Sequence, residues 1–301
     1  PALCGLDRRG LFIGDGETVA AYADRLATLR ARLAEMETRL AEDGEVDIDD
    51  VHVTSAQRIG ASLLEEVRPE TESRFAFAID WVPGFYINPS NAWLFGGCAF
   101  CFYPEFFALF IIRQSFAERQ RWFIYDRREL VAHELCHVAR VALQGRVFEE
   151  HFAYRTAHSR FRRAVGGVFY RQADSFMVLG STLLLLSAQI VKTFAFYPLW
   201  IWPFWLLVIG VIAFLGARYV RSRRVLARAG GHVAGVYPGA EPQFVLFRCT
   251  DEEIGVLARV RGDALRRWVE ERCASEPRWR VIHARFLVPD SEHTPAGSEV
   301  F

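Results

Sequence analysis

The sequence predicts an α+β fold that an inserted two-helix transmembrane hairpin interrupts and a small C-terminal α+β unit closes. Three observations carry this reading: the pentad His133-Glu134-Leu135-Cys136-His137, an apolar block over 176–217 broken by one charge, Lys192, and short apolar runs on either side that alternate or cluster as strands do. The 301 residues divide into an N-terminal helix with an acidic link at 1–50, a main domain at 51–172, the hairpin at 173–219 and a second small domain at 220–288. A tail at 289–301, rich in Ser, Glu and Pro, is expected to be disordered. Charge is balanced at 36 basic against 36 acidic residues, which argues against a nucleic-acid partner.

The first element is an amphipathic helix. Val19, Tyr22, Leu26, Leu29, Leu33, Met36 and Leu40 follow a 3-4 spacing, the pattern of one apolar stripe. In a parallel pair Arg25 would meet Arg30, so packing against its own domain is expected rather than dimerisation. Residues 41–50 read as an acidic link, 55–67 as a helix, and the apolar runs at 75–81 and 106–112 as candidate strands, one of them a sheet edge that would receive an extended peptide. The Phe-rich stretch 92–112 contains Pro104, Glu105 and paired Gly, and reads as core or as a lip near a membrane surface rather than as a third span. Cys98 and Cys101 form a CxxC with no partner pair and read as small core residues; six scattered cysteines fit a reducing compartment. No cleavable signal peptide is expected, since the first apolar stretch is short and charged residues follow.

The pentad then falls on a helix. Asp126 reads as an N-cap with Glu129 three residues on, Arg127 as the first helical residue, and Gly145 as the stop. Imidazoles at i and i+4 lie one above the other on one helical face, where both reach a single divalent ion, and Glu134 between them stands ready to take a proton from a water activated there. A hydrolytic zinc site needs a third protein ligand. The next segment, through Glu149, Glu150, His151, Phe152, Ala153 and Tyr154, would fold back as a second helix, and Glu149, Glu150, His151 and the later His158 are all able to ligate.

Here the chain resembles the gluzincin metallopeptidases, whose second helix carries a glutamate ligand in a local Asn/Glu-Glu-x-Phe-Ala pattern matched by Glu149-Glu150-His151-Phe152-Ala153. The resemblance spans about residues 120–160 and implies Zn2+ held by His133, His137 and Glu150, with Glu134 as general base. Twelve residues separate His137 from Glu150, a shorter interval than in thermolysin-like members, and Tyr154 stands where many members carry an acidic residue. Tyr154, one turn beyond Glu150, then has the alternative of donating to the oxyanion of a tetrahedral intermediate. His151 is expected to face solvent or to support the ligands from behind.

The apolar block supplies the hairpin. Its first half spans once polar flanks are included, its second half spans readily, and Tyr197, Pro198, Trp200, Trp202 and Pro203 read as a tight turn at a membrane interface. Arg155, Arg160, Arg162, Arg163 and Arg171 precede it and Arg218, Arg221, Arg223, Arg224 and Arg228 follow, so both flanks, both termini and the zinc site are expected on the cytoplasmic side. Lysine occurs once against 35 arginines, the mark of a GC-rich genome, and the expected location is a bacterial inner membrane. Beyond the hairpin, residues 244–247 and 280–286 read as strands, Thr250 and Glu253 as a capping box, and 263–274 as an amphipathic helix.

In layout the chain is similar to the integral-membrane heat-shock metallopeptidases and prenyl-protein proteases. The resemblance implies an α+β zincin-like metallopeptidase domain: a membrane-anchored zinc endopeptidase with a protein or peptide substrate and the lipid bilayer as its other partner. The alternative from another class is an inactive zincin-fold scaffold or sensor that binds a protein partner. Glu134 speaks against it, because a structural zinc site has no need of a base between its histidines.

Overall fold

A computed structural model describes residues 1–48, 51–88, 95–102, 107–123, 125–195 and 197–288. The tail expected to be disordered, and Pro104 and Glu105 of the Phe-rich stretch, lie outside the described residues. In chain order the helices are α1 (Ala2–Arg8), α2 (Val19–Glu42), α3 (Ala61–Phe75), α4 (Arg127–Arg140), α5 (Glu149–Ala153), α6 (Arg160–Val165), α7 (Gln172–Phe194), α8 (Trp202–Val236), α9 (Pro242–Leu246), α10 (Asp251–Leu257), α11 (Gly262–Ser275) and α12 (Pro277–Ile282). The strands are β1 (Glu45–Ile48), β2 (Val51–Thr54), β3 (Gly84–Ile87), β4 (Gly97–Phe102), β5 (Phe107–Arg113), β6 (Arg121–Trp122) and β7 (Tyr125–Asp126). The fold is thus mixed α+β and mostly helical.

Its centre is a three-stranded sheet in the order β3-β5-β4, with β3 parallel and β4 antiparallel to β5. Side chains alternate across a strand, and β5 uses both faces. Ala108, Phe110 and Ile112 enter the core shared with α3, α4 and the C-terminal helices, while Phe107, Leu109 and Ile111 enter the core under α2. A strand buried on both sides reads as an unbroken apolar run, which is why 106–112 looks as it does in sequence; β5 is the central strand, so the sheet edge expected from this run or from 75–81 falls to neither. Gly84 is required where β3 crosses β5: a Cβ there would lie 2.2 Å from the Phe110 ring.

α2 packs inside the chain as its charge pattern predicts, burying Tyr22, Leu26, Leu29, Met36 and Leu40 on the outer face of the sheet. Within the expected acidic link, Glu45–Ile48 forms β1, which pairs antiparallel with β2. Alternation of Val46, Val51 and Val53 toward the α2 core holds that ribbon in register. The helix expected at 55–67 is instead a short 3-10 turn, Ser55–Gln57, followed by α3, with Gly60 as N-cap. The run at 75–81 is not a strand: Phe75 ends α3, Ala76 adopts a left-handed conformation at φ 56°, and Phe77 and Ile79 are buried from a loop.

α7 and α8 are long and apolar enough to cross a membrane, and only 22% and 11% of their most apolar stretches are buried, unlike the core helices of a water-soluble domain. They pack against each other, and Arg218 on α8 bonds both Asp174 at the start of α7 and the Val168 carbonyl. The expected boundary at 219 falls inside α8, which runs unbroken into the domain, where Leu226, Ala229 and Val233 join the main core.

Among the described residues the C-terminal unit contains helices and no strand, a correction to the α+β expectation. The run 244–247 lies in α9 and the turn after it, started by Pro242 in the first helical turn and buried on several sides through Val245, Leu246 and Phe247. Residues 280–286 continue α12 into a π-helical turn, His283–Leu287, again with a proline, Pro277, in the first turn. Runs this short have no readable period. The Thr250 and Glu253 capping box and the helix at 263–274 are present as expected, in α10 and α11.

The unit docks onto the N-terminal segment through buried arginines. Arg248 pairs with Asp7 at 2.8 Å and donates to the Phe75 carbonyl at 2.9 Å. Arg278 pairs with Glu253 at 2.7 Å and Asp15 at 2.8 Å. Asp15, Glu253 and Glu276 therefore converge on a guanidinium, which accounts for that acidic cluster as an ion-pair knot.

Candidate metal centre

α4 begins as the sequence implies: Asp126 accepts from the Arg128 and Glu129 backbone amides at 3.1 and 3.3 Å. Glu129 does not complete a capping box. It turns inward, pairs with Arg162 and accepts from the His158 amide at 3.0 Å. The helix ends at Arg140, passes through a 3-10 turn, Val141–Leu143, and is stopped by Gln144 in the left-handed region at φ 50°. Gly145 serves packing instead, since a Cβ there would lie 2.2 Å from Glu149 Oε1.

That compact turn lets α5 return against α4 and delivers Glu150. His133 and His137 point their Nε2 atoms at one another across 3.3 Å, and the two carboxylate oxygens of Glu150 lie 3.5 Å from His133 Nε2 and 3.5 Å from His137 Nε2. Around a tetrahedral zinc ion with bonds of about 2.0–2.1 Å, ligand atoms stand about 3.3–3.4 Å apart. One such atom from each of the three residues lies within 4.8 Å of the other two, an arrangement able to hold a single metal ion.

The other three candidates face elsewhere. Glu149 accepts from Arg140 Nε at 2.8 Å and lies 3.7 Å from His137 Nδ1, the nitrogen on the far side of the ring from Glu150. Arg140 is fully buried, donates to the Phe247 carbonyl and, at 3.3 Å, to that of Cys249, and lies over the Phe152 ring. His158 bonds Glu70 at 3.1 Å, away from the two imidazoles. His151 does not face solvent: it is buried, its Nε2 lies 2.6 Å from Ser222 Oγ, and its ring stacks on Tyr219 of α8 at 5.0 Å. Burial, then repulsion from Arg223 and Arg155, lowers its pKa to about 4, so the ring is neutral. The Ser222 hydroxyl also reaches the Tyr219 carbonyl at 2.9 Å, which leaves the imidazole as donor to Ser222 Oγ.

Glu134 is buried on the sheet side of the helix, and its Oε2 accepts from the Ala99 amide of β4 at 2.7 Å. Ala99 stands opposite Phe110 in the ladder, so this N–H points away from β5, along the outer edge of β4. Burial raises the Glu134 pKa and the Glu150 charge adds to it, against the pull of His137 and the Ala99 amide. Burial likewise drives His133 well down, helped by His137 and Arg162. It opposes charge on His137 too, but Glu149, Glu150 and Glu134 outweigh it and push that ring up to about 9. Several carboxylates thus surround a pair of imidazoles, an environment that favours a cation.

Tyr154 follows α5 in a 3-10 turn, half-buried, its ring edge-on to His133 at 4.7 Å. Its other neighbour is Gly166, where a Cβ would sit 2.1 Å from the ring, so glycine makes room for it. Arg162 reaches over both Tyr125 and Tyr154. Cys98 and Cys101 are half-buried on β4, and alternation sends Cys98 into the α2 core and Cys101 into the α4 core. A CxxC on a strand cannot converge on one ion, and burial pushes both thiols up to about 12.

Sequence reasoning missed Arg140, the Ala99 amide, Arg162 and the packing glycines. No local pattern marks the first three; the Gly166-Gly167 pair was a visible signal of close approach. No family model, curated protein or solved structure matches the chain.

Proposed function

We propose that this chain is a membrane-anchored, zinc-dependent endopeptidase that hydrolyses peptide bonds of protein substrates on the cytoplasmic side of a bilayer. The observation that carries the reading is the spacing of His133 Nε2, His137 Nε2 and Glu150 at 3.3 to 3.5 Å, beside a buried carboxylate on the same helix. Zinc held by those three residues supplies Lewis acidity toward a carbonyl and acidifies a water.

The remaining work falls to the chain. Glu134, its Oε2 fixed by the Ala99 amide, keeps Oε1 to accept a proton from the nucleophilic water and then to return it to the leaving amine. The raised pKa of Glu134 makes it a stronger base toward that water than an ordinary carboxylate. Tyr154, held edge-on to His133 by Gly166, is the candidate donor to the oxyanion. β4 is an outer strand of its sheet among the described residues, and the part of its edge beyond the Ala99–Glu134 bond suits a peptide added as a further strand. For the membrane part, support comes from two largely exposed apolar helices with arginine on both flanks and an aromatic turn between them.

Metal content decides the matter first. Plasma mass spectrometry on the detergent-purified chain should find about one zinc per chain in the wild type, the same in Glu134→Gln, and a loss in Glu150→Gln. Hydrolysis of a casein probe should fall about 10²–10⁴-fold in Glu134→Gln with metal retained. Wild-type protein free of zinc after metal-replete preparation would overturn the peptidase reading.

A further inference from the structure

Several large side chains are exposed before β7, along α6 and at the start of α7. Phe123 sits in the turn between β6 and β7 at φ +52°, a left-handed conformation that bulky residues avoid, with 72% of it exposed. Phe161 on α6 is equally exposed, Val165 and Phe169 are exposed on the way to α7, and Phe176 lies in its first turns. These positions are linked in space. Arg162 reaches the Tyr125 ring at 5.6 Å, tying α6 to β7, while Tyr219 donates to the Ala164 carbonyl and Arg218 to that of Val168, tying the α6 segment to α8. Exposed Arg160 and Arg171 lie on the same stretch.

We infer that this aromatic rim, from the β6–β7 turn across α6 to the foot of the hairpin, rests on an anionic lipid surface, with the rings at headgroup depth. The inference rests on the membrane reading above. Its occupant follows from continuity, since the rim adjoins the two exposed apolar helices, and from charge, since its cations are arginines and anionic headgroups complement them. A strained backbone that holds a phenylalanine largely outward at a hairpin tip, beside the Trp122 ring at 6.2 Å, fits insertion into an interface. Arg162 also lies within 5.9 Å of the Tyr154 ring, which touches His133, so the rim borders the metal cleft. The substrates of that cleft are then segments tethered at the bilayer surface, presented from the headgroup layer.

Fluorine-labelled phenylalanine introduced singly at positions 123, 161 and 214, in the full chain reconstituted at one copy per lipid nanodisc, tests this. Phe214 is an exposed apolar residue of α8 and reports on the hairpin itself. The ¹⁹F signals are read against a soluble gadolinium chelate and against a headgroup-linked one, in phosphatidylcholine with and without phosphatidylglycerol. The expected result is Phe214 shielded in both lipids, and Phe123 and Phe161 losing most of their relaxation by the soluble chelate, more so with phosphatidylglycerol, while the headgroup chelate broadens them. Phe214 shielded with Phe123 and Phe161 fully relaxed by the soluble chelate overturns the rim and leaves the hairpin standing. Phe214 relaxed by the soluble chelate overturns both. Shielding that appears only in discs holding two copies assigns the face to self-contact and overturns the lipid assignment.

Discussion

Glu149 and Glu150 are neighbours with different tasks, and about 100° of helical rotation separates them. Glu150 turns to the Nε2 atoms of both histidines, while Glu149 lies near the opposite nitrogen of His137 and is fixed by Arg140. A carboxylate behind a metal-binding imidazole sets its tautomer and raises its basicity. Glu149→Gln should therefore weaken zinc binding about 10–100-fold while leaving the ligand set intact, as competition with a fluorescent chelator would measure. An unchanged affinity would mean that Glu149 serves the buried Arg140 alone.

At the scale of elements, α5 is a five-residue helix held from two sides, by Arg140 through Glu149 and by α8 through His151. The His151 contact depends on one hydroxyl. Ser222→Ala leaves a buried ring nitrogen without its acceptor, which should cost about 1–3 kcal/mol and lower the melting temperature of the purified chain. Zinc affinity should fall with it, because α5 carries Glu150; equal affinity in the variant would show that the Arg140 side suffices. Legibility also differs by element. The cap at Asp126, the histidine pair and the hairpin are local patterns and could be read directly. Which of Glu149, Glu150 and His151 faces the Nε2 atoms of both histidines depends on the phase of α5 against α4, which no local signal encodes; the resemblance pointed to Glu150. β4 escaped the reading because half-buried residues on both faces of an edge strand show no clean alternation. The segments 244–247 and 280–286 were misread as strands because apolar runs of that length suit either structure.

The molecule as a whole is closed by contacts between its ends. Glu253 pairs with Arg278, accepts from Trp279 Nε1 at 2.6 Å and from the Thr250 amide, and although burial opposes its charge these partners hold its pKa below the ordinary 4.5. The folded state then binds fewer protons than the unfolded one near that value, so this stabilisation is complete above pH 4.5 and is lost as pH falls below it. Glu253→Gln should destabilise the chain at neutral pH by up to about 3–5 kcal/mol and flatten its loss of stability in acid. Melting curves from neutral pH downward would check both; parallel curves for the two proteins would exclude the pair as the source. Such end-to-end closure was invisible in sequence, since Arg278 and Asp15 are 263 residues apart.

Arg140 sets an order of events during synthesis. The helix bearing both histidines leaves the ribosome long before the carbonyl of Phe247, 107 residues later, that anchors this guanidinium. Until α8 has been made and the last helices have folded back, Arg140 lacks its carbonyl partners, the core lacks Leu226, Ala229, Val233 and Phe247, and Ser222 is not yet there to hold α5. A nascent chain halted before α8 thus carries His133, His137 and Glu150 without the surroundings that align them. The cluster is therefore aligned last, after the segment that would enter the bilayer, and a half-made chain lacks its finished geometry.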